Sequence, residues 1–402
     1  MSNFSRLFWS EWQNLFANKT IRNVLFIVPI IYLTLFGFLY SEKKVMNIPT
    51  VMVDADQTEL SRELYRAFEV DQTFKITSIV GTEEEAMRLV DKGEANIALI
   101  IPAELEKNVK AGRPAEVLTV IDGSNMMISN TAVRAASTVV KSVSAGATLK
   151  KMEAKGSWGE EGKNLFTGID YRYRVLYNPT FSYMSFMVFG LTGTVLQQVL
   201  FLGIALSVAQ QKEEGTWKET LKSHSFFAIT ASKLLPYFLA GTLNVFLGFT
   251  LLLKGFEIPY YGSTFDLMLV ATAFNLAVLA IGYAISFFSK DQLQATQIAM
   301  MIAVPSFMLS GFTWPLASMP TAVAAIGKSL PLTYFLDGVR EILSKGHDLS
   351  YVTHDLAVLG FMTLLGLFSA YVIYLLQTRK KRKSLPKRQR FSEICRKETL
   401  VL

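Results

Sequence analysis

The chain reads as an α-helical polytopic membrane protein: six transmembrane helices, with an extracytoplasmic α/β domain inserted after the first span. Three observations predict this. Of 402 residues, 51% are hydrophobic and only 18% charged, where a soluble domain carries about a quarter charged residues. Six stretches free of Asp, Glu, Lys and Arg approach or exceed the ~20 apolar residues a helix needs to cross a ~30 Å hydrocarbon core. They are Asn23–Ser41, Val175–Gln211, Leu234–Leu253, Leu267–Ser289, Gln292–Gly327 and Leu356–Thr378. Between the first two lies a segment of soluble composition with a strand–helix rhythm. The net charge of +7 does not mark a nucleic-acid binder, because residues 379–402 alone hold ten Lys or Arg against two Glu. A single cysteine, Cys395, excludes an intramolecular disulfide. Three scattered histidines argue against a His-based metal cluster.

Residues 1–22 open with Phe4, Phe8, Trp12 and Leu15 at helical spacing and Arg6, Gln13 and Asn14 among the polar positions. That pattern predicts a cytoplasmic amphipathic helix lying in the membrane interface. Residues 23–41 form the first span, read as an uncleaved anchor because no small-x-small cleavage site follows it.

Residues 42–182 form the α/β domain. Ile48–Val53, Phe74–Val80, Asn96–Ile101 and Glu116–Ile121 read as strands, and Glu59–Phe68 and Ala103–Lys110 as helices. Thr82 and Glu85 have capping-box spacing and open a further helix. This alternation predicts a small sheet covered by helices. Asp122-Gly123-Ser124 then resembles a cap for a long amphipathic helix over Asn125–Met152. Val133, Ala136, Val140, Val143 and Ala147 are among its apolar positions, and Gly156–Gly168 reads as a loop. Asp54, Asp56 and Thr58 alternate as in a calcium loop but lack its glycine and closing Glu, so they read as a helix-entry turn. No hydrolase pattern occurs, and no enzyme is expected.

The later spans are placed at 183–208, 232–253, 267–289, 294–310 and 355–378. Tyr177-Asn178-Pro179 delays the second span, and Ser310-Gly311-Phe312 with Pro315 ends the fifth. Lys and Arg at the flanks put both termini, the loop 209–231 and the basic tail 379–402 in the cytoplasm. No span carries a charge near its middle, which disfavours a proton- or sodium-coupled carrier. The polar mid-span residues Gln197, Gln198, Asn244 and Asn275 suit helix–helix hydrogen bonding; Gln197, Gln198 and Asn275 are also candidates for lining a cavity. A phosphate-binding loop is missing: the nearest fragment, Gly327-Lys328-Ser329, has Ala322 where the motif needs glycine. Energy for transport must then come from another subunit or an ion gradient.

Three groups of segments carry a family resemblance. The first is Ile48–Asp54 with Leu60–Leu64, Ala98–Pro102 and Asp122–Asn125. The second is Gln211–Leu221, followed by Ser232-Lys233 and Pro236. The third runs from Leu309 to Pro315, through Met319-Pro320, to Leu330–Phe335 and Arg340. Together they resemble the permease subunit of an ABC-2 type ATP-binding-cassette exporter, in the subgroup with a large extracytoplasmic domain after the first span. Tyr183–Gly190 departs from the pattern by lacking a Pro-Gly pair.

The resemblance implies a subunit of a bacterial or archaeal cell membrane, without catalytic, cofactor or metal residues of its own. It implies a second permease subunit, the same or a sibling chain, membrane lipids around the permeases, and two cytosolic ATPases that bind ATP and Mg. Glu213, Glu214, Gly215 and Thr216 are then the expected ATPase-coupling residues. Gly311, Pro315, Pro320, Pro331 and Arg340 mark a re-entrant outer gate over residues 311–353, where irregular backbone must be buried or line a cavity. Phe186, Phe189, Phe201, Phe307 and Trp314 suggest walls for a hydrophobic or amphipathic cargo (a drug, lipid or peptide). The competing reading, a receptor or anchor whose outer domain binds a partner, leaves Glu213–Leu221 unexplained.

Overall fold

The computed structural model describes residues 3–42, 44–154 and 175–384. The chain forms a helical unit, Met1–Lys43 with Val175–Leu402, and a sheet unit, Lys44–Arg174. In the helical unit, α1 (Asn3–Ala17) breaks at Asn18, whose side chain caps α2 (Lys19–Leu39) by accepting from the Thr20 and Ile21 amides.

In the sheet unit, β1 (Ile48–Asp54), α3 (Glu59–Val70), β2 (Phe74–Val80), α4 (Glu83–Asp91), β3 (Ile97–Ile101), α5 (Leu105–Ala111), β4 (Leu118–Ile121) and α6 (Met126–Ala154) follow in sequence. The sheet order is β2-β1-β3-β4, with β1 parallel to β2 and β3, and β4 antiparallel to β3. Every residue of β3 is buried, as expected of a central strand covered on both faces. Ile97, Leu99 and Ile101 pack with Leu64, Phe68, Ala136 and Val143 of α3 and α6. Ala98 and Ile100 point the other way, toward Ala86 of α4.

Local details differ from the sequence reading. The buried positions of α6 are Ala132, Ala136, Val139 and Val143, a single i, i+4, i+7, i+11 stripe, so Val133 beside it is 56% exposed. The reciprocal capping box belongs to Thr58 and Ser61; Thr82 accepts only the Glu85 amide. Helix α5 starts at Leu105, after Glu104 in the left-handed region, and not at Ala103. Asp54 accepts from the Asp56 and Gln57 amides and the Ser61 hydroxyl, which makes Asp54–Thr58 a helix-entry turn. The Gly156–Gly168 segment lies outside the described residues.

The helical unit continues with α7 (Tyr183–Glu213), α8 (Trp217–Ser223), α9 (Phe226–Gly255), α10 (Thr264–Ser286), α11 (Gln292–Leu309), α12 (Thr321–Lys328), α13 (Pro331–Val339) and α14 (Thr353–Ser384). Among the described residues, five helices are long and apolar enough to cross a membrane: Lys19–Leu39, Tyr183–Glu213, Phe226–Gly255, Thr264–Ser286 and Leu349–Thr378. Helix α11, expected as a sixth, has 18 residues, about 27 Å at 1.5 Å per residue. Gln292, Gln294 and Gln297 near its start lower its apolar content. Helix α7 is the hub and is buried along most of its length, with α2, α9, α10, α11 and α13 packed on it. A β-carbon at Gly193 would stand 2.7 Å from Leu336 Cδ2, so any larger residue there would have to displace that side chain of α13. Helix α14 packs along α10 and turns Phe361, Leu364, Leu365 and Phe368 outward.

Candidate functional site

Helix α7 ends where Gly215 adopts φ +77. A β-carbon there would meet nothing within 4 Å, so the demand for glycine is conformational, not steric. Thr216 donates its hydroxyl to the Gln211 carbonyl at 3.2 Å. The short α8 then buries Trp217 and Leu221, with Trp217 edge-on to Phe287 at 5.5 Å.

The two residues before the turn clamp the neighbouring α10–α11 connection. Lys212 Nζ donates to the carbonyls of Ser286, Phe287 and Ser289 at 2.8, 2.9 and 2.5 Å. These groups close α10, where a cation suits the helix dipole. Glu213 accepts from the Gln292 amide at 2.8 Å and from its Nε2 at 2.6 Å, at the start of α11, which Asp291 caps. Glu213 thus serves α11, three helices beyond α8 in the chain, and Glu214 accepts from Gln210 Nε2 at 2.8 Å. The segment therefore ties both turns at this end of the bundle into one body.

Beside it lies a group the sequence reading missed. Lys233 Nζ sits 2.7 Å from Glu11 Oε2, with side chains 3% and 4% exposed. Nζ also donates to Ser207 Oγ at 2.6 Å. Ser207 Oγ and Tyr237 Oη both donate to Glu11 Oε1. Helix α1 is thus held into the bundle by a charge pair, while Phe4, Trp9 and Phe16 remain exposed on it. One signal was available: Glu11 is the only acid before Glu42.

At the other end of α11, Gly311 takes φ +82 and turns the chain. Pro315 precedes a short 3₁₀ turn, Pro320 precedes α12 and Pro331 is the first residue of α13. Prolines suit these positions because their missing N–H has no helical partner there. Arg340 Nη2 donates to the Phe312 carbonyl at 3.1 Å, and its guanidinium lies 4.7 Å from the Phe312 ring centroid. That ring stacks on Phe186 at 5.6 Å. The geometry joins Arg340 to the turn after Gly311. Nearby, Glu341 receives Lys345 and His347; burial pushes its carboxyl up, but those partners outweigh burial and hold it below its ordinary 4.5.

Gln197 and Asn275 are fully buried, and their side-chain amides have no hydrogen-bond partner; Gln198 is half-buried. Asn275 and Leu200 both border Gly241, at the junction of α7, α9 and α10. Asn244 bridges helices instead, donating to the Leu25 carbonyl at 2.7 Å. A cavity of about 40 Å³ between α9 and α10, bounded by Phe249, Leu253, Tyr260 and Leu267, touches none of the three candidate amides. Among the described residues, no group of three or more His, Cys, Asp or Glu is placed to hold a metal ion.

Apolar helices packed around a buried hub, with a polar clamp joining two inter-helix turns, define a polytopic membrane protein. The profile of the ABC-2 family transporter proteins matches residues 19–372, and the chain belongs to that family. It is similar to the "Probable multidrug ABC transporter permease YbhR" of Escherichia coli, 24% identical over 365 residues, covering 90% of this chain and 96% of that one. It is also similar to the "Probable multidrug ABC transporter permease YbhS" of Escherichia coli, 24% identical over 328 residues, 80% of this chain and 83% of that one. The "Inner membrane transport permease YhhJ" of the same organism is 24% identical over 377 residues, 90% of this chain and 95% of that one. Members of the family are transport subunits and not enzymes.

Proposed function

We propose that the chain forms half of the translocation path of an ABC exporter for a hydrophobic or amphipathic cargo, paired with a second permease and driven by two cytosolic ATPases. In this reading α11 is a sixth span, both termini are cytoplasmic and the sheet unit is extracytoplasmic. ATP and Mg bind the ATPases, and residues Glu213–Thr216 receive their stroke. The carrying observation is the clamp: Lys212 and Glu213 join the turn after α7 to the turn between α10 and α11, so a push on α8 reaches four membrane helices together. The named relatives, two of them multidrug permeases, support the cargo class.

Gly215→Val tests the reading in the purified complex with its ATPase. Its β-carbon would meet nothing within 4 Å, but φ +77 strains any side chain there, so the chain should insert and bind the ATPase while cargo-stimulated ATP hydrolysis and transport fall. Full activity of a Glu214→Lys/Gly215→Val variant would overturn the coupling role.

A further inference from the structure

We propose that the buried Glu11–Lys233 pair makes α1 a rigid part of the coupling end of the transporter, with Lys233 as a positioning residue. Placing this end against the ATPase rests on the function proposed above; the pin itself does not. Helix α1 shows a ladder of aromatic rings, Phe4–Phe8, Phe8–Trp12 and Trp12–Phe16, with centroids 6.2, 6.0 and 5.6 Å apart. Such a face sets depth in a membrane interface but no register, because lipid is fluid in its own plane. The adjoining face supplies register. Glu11 and Asn14 lie at i, i+3 on α1, with Asn18 at the break just after it, and Ser207, Gln210 and Glu214 follow i, i+3, i+7 along α7 and its C-cap.

The two rows engage in step. Ser207 donates to Glu11. Asn18 Nδ2 donates to Gln210 Oε1 at 2.8 Å, and Gln210 Nε2 lies within 3.3 Å of Asn14 Oδ1 and 2.8 Å of Glu214 Oε1. From Glu214, one residue before the Gly215 turn, a continuous polar chain therefore leads to α1. Lys233 closes this chain from α9, with Tyr237 one turn further on also reaching Glu11. Sliding α1 along α7 would separate a buried cation and anion where water cannot replace the lost partner. Tilting all three helices together breaks nothing. The charge pair thus permits rigid-body motion and forbids slippage.

The full chain in lipid nanodiscs, carrying Cys395→Ser, provides the test. Amide hydrogen exchange over residues 4–17 should rise about tenfold or more in Glu11→Gln and in Lys233→Gln, through local opening of α1. The swapped variant Glu11→Lys/Lys233→Glu should restore most of the protection. Unchanged exchange in both single variants would mean that lipid and apolar contacts place α1, and would overturn the pin. Asn14→Cys/Gln210→Cys, joined by a short thiol crosslinker, separates positioning from mere stability. If α1 travels with α7, the crosslinked transporter keeps its cargo-stimulated ATP hydrolysis; if α1 must slip, crosslinking abolishes it and the inference fails. A chain that binds no ATPase would refute the proposed function, yet the exchange measurement would still decide the pin.

Discussion

Replacing Arg340 with methionine removes two contacts on one aromatic residue. Its Nη2 donates to the Phe312 carbonyl at 3.1 Å, and its guanidinium stands 4.7 Å from that residue's ring centroid. A hydrogen bond to a charged group contributes about 1.5–3 kcal/mol, and a cation–π contact about 0.5–2 kcal/mol depending on desolvation. Arg340 is half-buried and methionine keeps the apolar stem, so the lower values apply and the loss is about 2 kcal/mol. For a unit of this size that corresponds to a fall of about 4–8 °C in Tm. The assay is thermal unfolding of the purified chain in nanodiscs. Arg340→Lys should recover only part of the loss, because an ammonium is a point charge without the planar face that stacks on Phe312. A melting curve for Arg340→Met that overlays the wild type would refute the assignment of Arg340 as the tie between α13 and the Gly311 turn. Full recovery by lysine would refute the stacking part alone.

Gly327→Ala should be more damaging, costing about 3 kcal/mol or more in the same assay, because its β-carbon would stand 2.2 Å from the Leu309 carbonyl oxygen, a backbone atom that cannot rotate away. In the sheet unit, Thr58→Ala removes the hydroxyl that accepts the Ser61 amide and should cost about 1 kcal/mol, read as faster hydrogen exchange in α3. Glu341 predicts a pH dependence: its folded carboxyl lies below the ordinary 4.5, so its contribution is present above that value and is lost as pH falls through the lower, folded one. Acid melting of residues 340–352, followed by limited proteolysis, should set in below that value in the wild type, and Glu341→Gln should flatten the response.

Much of the local architecture was legible because the signals are local. A charge-free run announces an apolar helix from its own residues. Short apolar runs between turn and helix signals place β1 to β4, Gly215 and Gly311 stop helices by their backbone freedom, and Pro315, Pro320 and Pro331 punctuate the segment after α11. The apolar run at Gln292–Gly327 is harder to divide, since the glutamines near the start of α11 shorten its apolar stretch without charging it.

Tertiary structure alone decided which polar groups meet. Glu213 looks from its surroundings like the acid of the following helix, yet it pairs with Gln292 because α7 and α11 lie side by side. Arg340 stands out in the sequence as a residue of the re-entrant segment, but only folding shows that it lies on Phe312. Lys233 reads as a flank charge bounding an apolar run, and Glu11 as one polar residue in an interfacial helix. Only the packing of α1 against α9 takes both out of water and makes them partners. Periodicity records how strongly each residue prefers to be buried, whereas an ion pair depends on a distance between segments far apart in the chain, which no local pattern contains.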